Sequence, residues 1–231
     1  MRPALLVLAA AWLGGGLIGQ NEPPQERALP PPQTRGQVSV EEAIAKRRSV
    51  REFSAQALTW EEIGQLAWAA QGITEPRKRL RAAPSAGGLY PLELYFVAQQ
   101  GTFHYLPEGH KMQVLSTQDQ REQLAAAVRG SGPVRAAPLS IVLTAVYERT
   151  AERWPTEGEL YVHLEAGHVG ENIHLQAVAL GLASVDIGAT ATLRSSDTSL
   201  RSTSQSEAVQ QALGLPADHK LVYIIAVGRP V

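Results

Sequence analysis

The stretch that most constrains this chain is Glu159–Leu182, a long helical pattern too apolar to leave half in water. Ala166, Val169, Ile173, Ala177 and Leu180 recur at helical spacing. Leu164, Leu175, Val178 and Leu182 widen that stripe until the C-terminal half is apolar nearly all round. Such a helix must be covered on more than one side, by a second helix or by a partner subunit. Gly167 and Gly170 allow close approach of whatever covers it. Thr156-Glu-Gly-Glu159 has the form of a capping box that opens the helix. His163, His168 and His174 lie on it at spacings of five and six, so they do not meet on one face as an i,i+4 pair would, and a metal reading is set aside.

The rest of the chain limits the class. Its 231 residues, 44% hydrophobic and 19% charged, suit one globular domain with a leader. A net charge of −1 gives no general electrostatic case for nucleic acid. The absence of cysteine excludes disulfides, thiolate catalysis and cysteine-based zinc or iron–sulfur sites. After Met1-Arg-Pro comes an uncharged run, Ala4–Gly19, so residues 1–20 read as a signal peptide or N-terminal membrane anchor, and the protein as exported (periplasmic or extracytoplasmic) or membrane-anchored. Gly14-x-Gly16-x-x-Gly19 spells a dinucleotide fingerprint but has no strand before it and is discarded. Residues 21–38, with five prolines among polar residues, read as a disordered linker, leaving 39–231 as the folded domain.

Within that domain, Ser39-Val-Glu-Glu42 predicts a short helix from Val40, and Thr59-Trp-Glu-Glu62 a second one to Ala70, stopped at Gly72. Leu92–Ala98 alternates as a strand, with hairpin companions at Thr102–Leu106 and Met112–Leu115. Gln118–Arg129 predicts a helix and Leu139–Tyr147 a buried strand. Ala183–Ile187 and Lys220–Val227 predict two more strands. Arg194–Ser206 reads as a surface loop, and Ser204-Gln-Ser-Glu207 as the cap of a last helix to Leu213. The hairpin argues for a mixed or mainly antiparallel sheet, hence α+β.

Two segments carry chemistry. Lys46-Arg-Arg-Ser-Val-Arg51 is either a solvated basic helix end or a phosphate site, where arginine forks and a serine hydroxyl would hold the oxygens. Ala83-Pro-Ser-Ala-Gly-Gly-Leu-Tyr-Pro91 is either an ordinary loop before a strand or a backbone platform for a flat ligand. Neither offers a nucleophile–base pair.

Taken with Glu165-Ala-Gly-His-Val-Gly-Glu-Asn172, Ala179-Leu-Gly-Leu182, Leu213-Gly-Leu-Pro216 and Val227-Gly-Arg-Pro230, these segments resemble nitroreductase-fold flavoproteins over residues 39–230. The Ser-Ala-Gly-Gly-Leu-Tyr-Pro loop and the Glu-Ala-Gly-His helix look most like the SagB-type dehydrogenase branch. The resemblance implies a nitroreductase-like α+β fold, a mixed or antiparallel sheet flanked by helices. It implies a homodimer whose interface is built on the long helix, with FMN bound there. By the same resemblance Arg47, Arg48, Ser49 and Arg51 would hold the FMN phosphate. Pro84, Ser85, Ala86, Gly87 and Gly88 would lie along the flavin ring, with Ile187 and Gly188 in a further loop against it. Arg229 would add a phosphate or pyrimidine contact.

The implied activity is ping-pong redox through FMN on a small-molecule or modified-peptide substrate, with an electron donor that the sequence does not name. No catalytic side chain is singled out. Where azoline-oxidising members carry a Lys-Tyr pair, this chain has Arg153-Trp154, and Glu171 stands where glutamine is usual. The alternative is a non-catalytic scaffold of the same fold, a partner subunit in a modification complex.

Overall fold

The computed structural model describes residues 25–129, 131–188 and 199–231. Its centre is a seven-stranded sheet in the order β1-β6-β5-β4-β7-β9-β8, every neighbouring pair antiparallel. The strands are β1 (Glu26–Ala28), β4 (Leu92–Ala98), β5 (Gly101–Leu106), β6 (Lys111–Ser116), β7 (Leu139–Ala145), β8 (Ala183–Gly188) and β9 (Lys220–Gly228). Strands β2 (Ile73–Glu75) and β3 (Leu80–Arg81) form a separate small ribbon.

Alternation along the central strands sorts side chains to the two faces. Leu94 and Phe96 of β4 face one core with Ile63 and Leu66 of α2 (Trp60–Gln71) and Val169 and Ile173 of α6 (Gly158–Ala179). Tyr95 and Val97 face a second core with Leu124 of α3 (Arg121–Ala127), Val134 of α4 (Gly132–Ala136) and Leu213 of α7 (Ser199–Leu213). The fold is therefore α+β in three layers. The long helix buries Val162, Ala166, Val169, Ile173 and Ala177 on the sheet and α2, as its stripe predicts. Leu160 and Leu164 remain exposed.

The caps at α1 (Val40–Lys46) and α2 form where the sequence puts them. The Ser39 hydroxyl accepts from the Glu42 N–H, and at Thr59 both halves of the capping box are made. The box expected at Thr156 is not made. Glu157 precedes α6 with no side-chain cap, because the chain enters from a turn after α5 (Glu148–Ala151), the Gly158 N–H donating to the Trp154 carbonyl at 2.8 Å.

Three other expectations are corrected. Residues 25–38 are laid on the domain rather than forming a free linker. β1 pairs with the edge strand β6, Leu29 is buried, and the Gln65 amide takes both backbone groups of Gln33 at 2.8 and 3.0 Å. The helix expected over 118–129 is confined to Arg121–Ala127, since the Gln120 side chain is drawn to Thr102 and the Ala212 carbonyl. Residues 199–206, expected as loop with a cap at Ser204, belong to α7, where the Ser206 hydroxyl accepts from the Leu221 N–H at 3.0 Å. The leader at 1–20, residues 21–24 of the expected linker and residues 194–198 of the expected loop lie outside the described residues. Among the described residues no helix is long and apolar enough to cross a membrane, and none brings together a metal-binding group of His, Asp and Glu.

Candidate functional site

Helix α6 is the floor of the site, and three chain segments meet along it. The first is the basic segment after α1. Arg47 caps that helix and its Nε lies 4.0 Å from Glu171 of α6. Ser49 bridges Ser184 of β8, and the Val50 N–H donates to the Ser184 carbonyl at 3.1 Å, so this segment runs beside the β8 strand. Arg51 is exposed. Arg48 is also exposed, but its guanidinium turns back onto the carbonyls of Ala45 and Arg47 at 3.1 and 2.7 Å, away from its neighbours.

The second segment is the glycine loop. Ala86–Gly88 make one tight turn, with φ of +58° at Gly87 and +67° at Gly88. The loop is pinned at both ends. The Tyr90 N–H donates to the Ser85 hydroxyl at 2.9 Å, and the Tyr90 hydroxyl accepts from the Arg81 N–H at 3.0 Å. Beneath it lies a chain of buried polar groups. Arg81 stacks over the Tyr90 ring at 4.5 Å and donates to Gln71 at 3.2 Å, and Gln71 donates to the Glu165 carboxylate at 3.1 Å. Burial pushes the Glu165 carboxyl up from its ordinary range. Hydrogen bonds from Ser85 and Gln71 and the charges of Arg81 and His168 only partly oppose this. Pro84, Gly87 and Gly88 are exposed, and Ser85 and Ala86 half-buried.

The third segment is the end of β8. Gly188 opens on a cleft of about 450 Å³ whose walls include Gly167, Gly170, Glu171, His174, Asp186 and Tyr223. Ile187 turns its side chain into the second core, leaving only its backbone for a ligand. His174 is buried between the Ser184 hydroxyl at 2.7 Å and the Asp186 carboxylate at 3.0 Å. Tyr223 donates its hydroxyl to the Ala166 carbonyl, a contact that only a glycine at position 170 permits, since a Cβ there would collide with that hydroxyl. Burial raises the Tyr223 hydroxyl above its ordinary value.

The structure thus brings the end of the basic segment, the glycine loop and the end of β8 to one helix. Arg229 stands apart. Its guanidinium is held by Glu62 at 2.6 Å and by the Ala57 carbonyl at 3.4 Å; like Arg47, Arg48, Ser49, Arg51 and the 84–88 loop it does not line the cleft, which takes in only Gly188 of the residues expected from the sequence. Glu165, Gln71, Arg81, His174 and Asp186 escaped the sequence reading as site residues. They are assembled from distant segments, and only the Glu-Ala-Gly-His run hinted at one of them.

The comparisons with known proteins bear on the fold and the family. The crystal structure of a Ralstonia eutropha JMP134 protein described as a nitroreductase superposes with a TM-score of 0.72 at 24% identity, over 89% of this chain and 90% of that one. The NADPH:FMN oxidoreductase of Vibrio harveyi, solved with NAD+, gives 0.57 at 22% identity over 83% of this chain and 68% of that one. A Desulfovibrio desulfuricans nitroreductase-type structure in complex with FMN gives 0.57 at 24% identity, over 83% and 86%. At these identities the likeness is one of fold. In sequence, a Methanocaldococcus jannaschii protein whose name places it among the nitroreductases is 36% identical over 159 residues, 66% of this chain and 80% of that protein. The model of the Nitroreductase family matches residues 44–229, which run from α1 to the end of the sheet and contain all three segments of the site, so the chain belongs to the nitroreductase family.

Proposed function

We propose that this protein is an FMN-dependent oxidoreductase of the SagB-type branch, acting on a small-molecule or modified-peptide substrate. The observation that carries the reading is the convergence of Arg47, the glycine loop and Gly188 along α6, beside a cleft whose walls include Gly167, Gly170 and Gly188. The fit to FMN is chemical and steric. Arg47 and Arg51 supply cations and Ser49 a hydroxyl for a phosphate dianion. At Gly167 and Gly188 nothing among the described residues stands within 4 Å of where a Cβ would be, so a flat ring can approach the backbone. When bound, FMN supplies the redox chemistry, taking reducing equivalents from a donor and passing them to an acceptor.

The chain's own residues bind, orient and tune. In the 84–88 loop the Gly88 N–H is spent on the Ser85 carbonyl at 3.0 Å, so Ser85, Ala86 and Gly87 supply the backbone donors, and Ser85, held by Tyr90 and Glu165, fixes the loop's course. His174 holds the Asp186 carboxylate at the cleft wall and sets its direction. The family neighbours that name FMN and NADPH support the cofactor and leave the physiological donor open. The proposal includes a homodimer, since the exposed stripe Leu160, Leu164, Gly167 and Glu171 on α6 runs from bare apolar surface into the rim of the cleft. It also includes export or anchoring through residues 1–20, on the uncharged run Ala4–Gly19.

The test is the visible spectrum of the purified protein and the identity of the flavin released on denaturation. Arg47→Ala with Arg51→Ala is expected to cut flavin occupancy several-fold, each charge-assisted phosphate contact being worth about 1.5–3 kcal/mol. Unchanged FMN content in that double variant would sink the phosphate assignment. A colourless protein that takes up no added FMN would leave the scaffold reading.

A further inference from the structure

The turn between α5 and α6 sets Arg153 and Trp154 against the glycine loop. A Cβ at Gly87 would stand 2.7 Å from Trp154 Cη2 and 2.9 Å from Arg153 Nη1, so the loop and this pair touch without any side chain between them. The pair is itself organised. The Arg153 guanidinium lies 4.9 Å from the centre of the Trp154 ring, and Trp154 meets Tyr161 of α6 edge-on at 5.2 Å. Along α6 the order is then Tyr161 under Trp154, Glu165 under Ser85, and Gly167 and Gly170 at the cleft. At the helical rise these positions lie within about 14 Å of one another.

What distinguishes Arg153 from the other arginines of this region is its charge balance. Arg149 is neutralised by Glu93 at 2.6 Å and also donates to the Tyr90 carbonyl at 3.1 Å. Arg81 is occupied by Gln71 and lies near Glu93 and Glu165. Arg153 is exposed, and among the described residues no carboxylate lies within 4.0 Å of it. A cation with no counter-ion among the described residues, laid on an aromatic face beside a backbone platform, is a receptor for a flat anion: the guanidinium forks a carboxylate while the indole takes the ring.

We propose that Arg153 and Trp154 form the acceptor subsite and select planar anionic acceptors, aromatic carboxylates whose ring also bears the reducible group, a nitro or quinone function. The proposal rests on the flavin reading above and deepens it. Arg153 sets the charge preference, and Trp154 supplies a stacking surface that is indifferent to charge.

Calorimetric titration of the flavin-bearing protein with benzoate, and with benzamide as its neutral planar counterpart, tests this. Benzoate is expected to bind more tightly than benzamide. Arg153→Gln should weaken benzoate about tenfold and leave benzamide unchanged, because one charge-assisted contact is lost. Arg153→Lys should recover part of the loss. Trp154→Ala should weaken both probes, and Trp154→Phe should retain them. Flavin content, measured on each variant, should not change. Benzoate that fails to bind, or binds Arg153→Gln as well as the wild type, overturns the subsite while the flavin stays in place. A protein that carries no flavin and takes none up overturns the acceptor role together with the flavin reading, whatever benzoate does.

Discussion

At the scale of single residues, the least expected group is the Glu165 carboxyl. It is 2% exposed, on a helix whose other inward residues are apolar except His174, directly beneath the loop that would carry the cofactor. Its partners are a serine hydroxyl, an amide and the Arg81 charge at longer range, and burial wins over them. The folded protein therefore holds this proton more tightly than the unfolded chain does. For an acid so shifted, the stabilising contribution is complete below the ordinary value of 4.5 and is lost as pH rises towards the folded value. Glu165→Gln keeps the shape and a hydrogen-bonding amide while removing the titration. Wild type and variant should have similar urea midpoints at pH 4.5, and the variant should be the more stable at pH 8. Parallel midpoints at both pH values would show that the carboxyl does not titrate in this range. Ser85, by contrast, needs no unusual ionisation to work. Its hydroxyl accepts from Tyr90 and reaches Glu165, so one side chain ties the loop to the helix.

At the scale of elements, the parts legible in the sequence are those whose signal is local. The Thr59 box fixes the start of α2, and the alternation in Leu92–Ala98 fixes a central strand, because both depend on neighbours within a few residues. The glycine loop was legible as a turn, and the basic segment as a helix end, for the same reason. The polar groups beneath the glycine loop were not: Gln71 and Glu165 are 94 residues apart, and no local pattern announces their contact. The N-terminal segment failed in the opposite way. Its prolines and polar residues have the composition of a linker, but three residues suffice for β1 once β6 offers an open edge, and Pro30 lends its carbonyl to His110 at 3.1 Å. Leu29 then anchors the strap in the first core. Leu29→Ala is expected to cost about 2–3 kcal/mol in denaturant unfolding, the range for a buried leucine. A free linker would lose less than about 0.5 kcal/mol, as surface changes do.

At the scale of the whole molecule, the question is what covers the outer side of α6. Its inner stripe is satisfied by the sheet and α2, yet Leu160 is 57% and Leu164 51% exposed, and Val40 and Ile44 of the contacting helix α1 are 64% and 57% exposed. Leu160 and Leu164, one turn apart, form a bare apolar patch on α6, while Val40 lies towards the other end of that helix, beside Leu175 and Ala179. A two-fold axis near Leu164 would set each patch on its copy, the self-complementary arrangement that homodimers favour, and would bring the second chain to the rim at Gly167 and Glu171. Such a dimer needs about 800 Å² from each partner, so Leu160 and Leu164 would be its centre and the flanking residues of α6 and α1 its border. Leu160→Glu with Leu164→Glu places like charges in that centre without touching either core. The wild type should sediment as a dimer and the double variant as a folded monomer with an unchanged far-ultraviolet spectrum. Flavin occupancy should fall with the dimer if the second chain completes the rim, since one wall of the site would then open to water. A wild type that sediments as a monomer, or a double variant that remains dimeric, would assign this face to some other role and leave the cleft complete within a single chain.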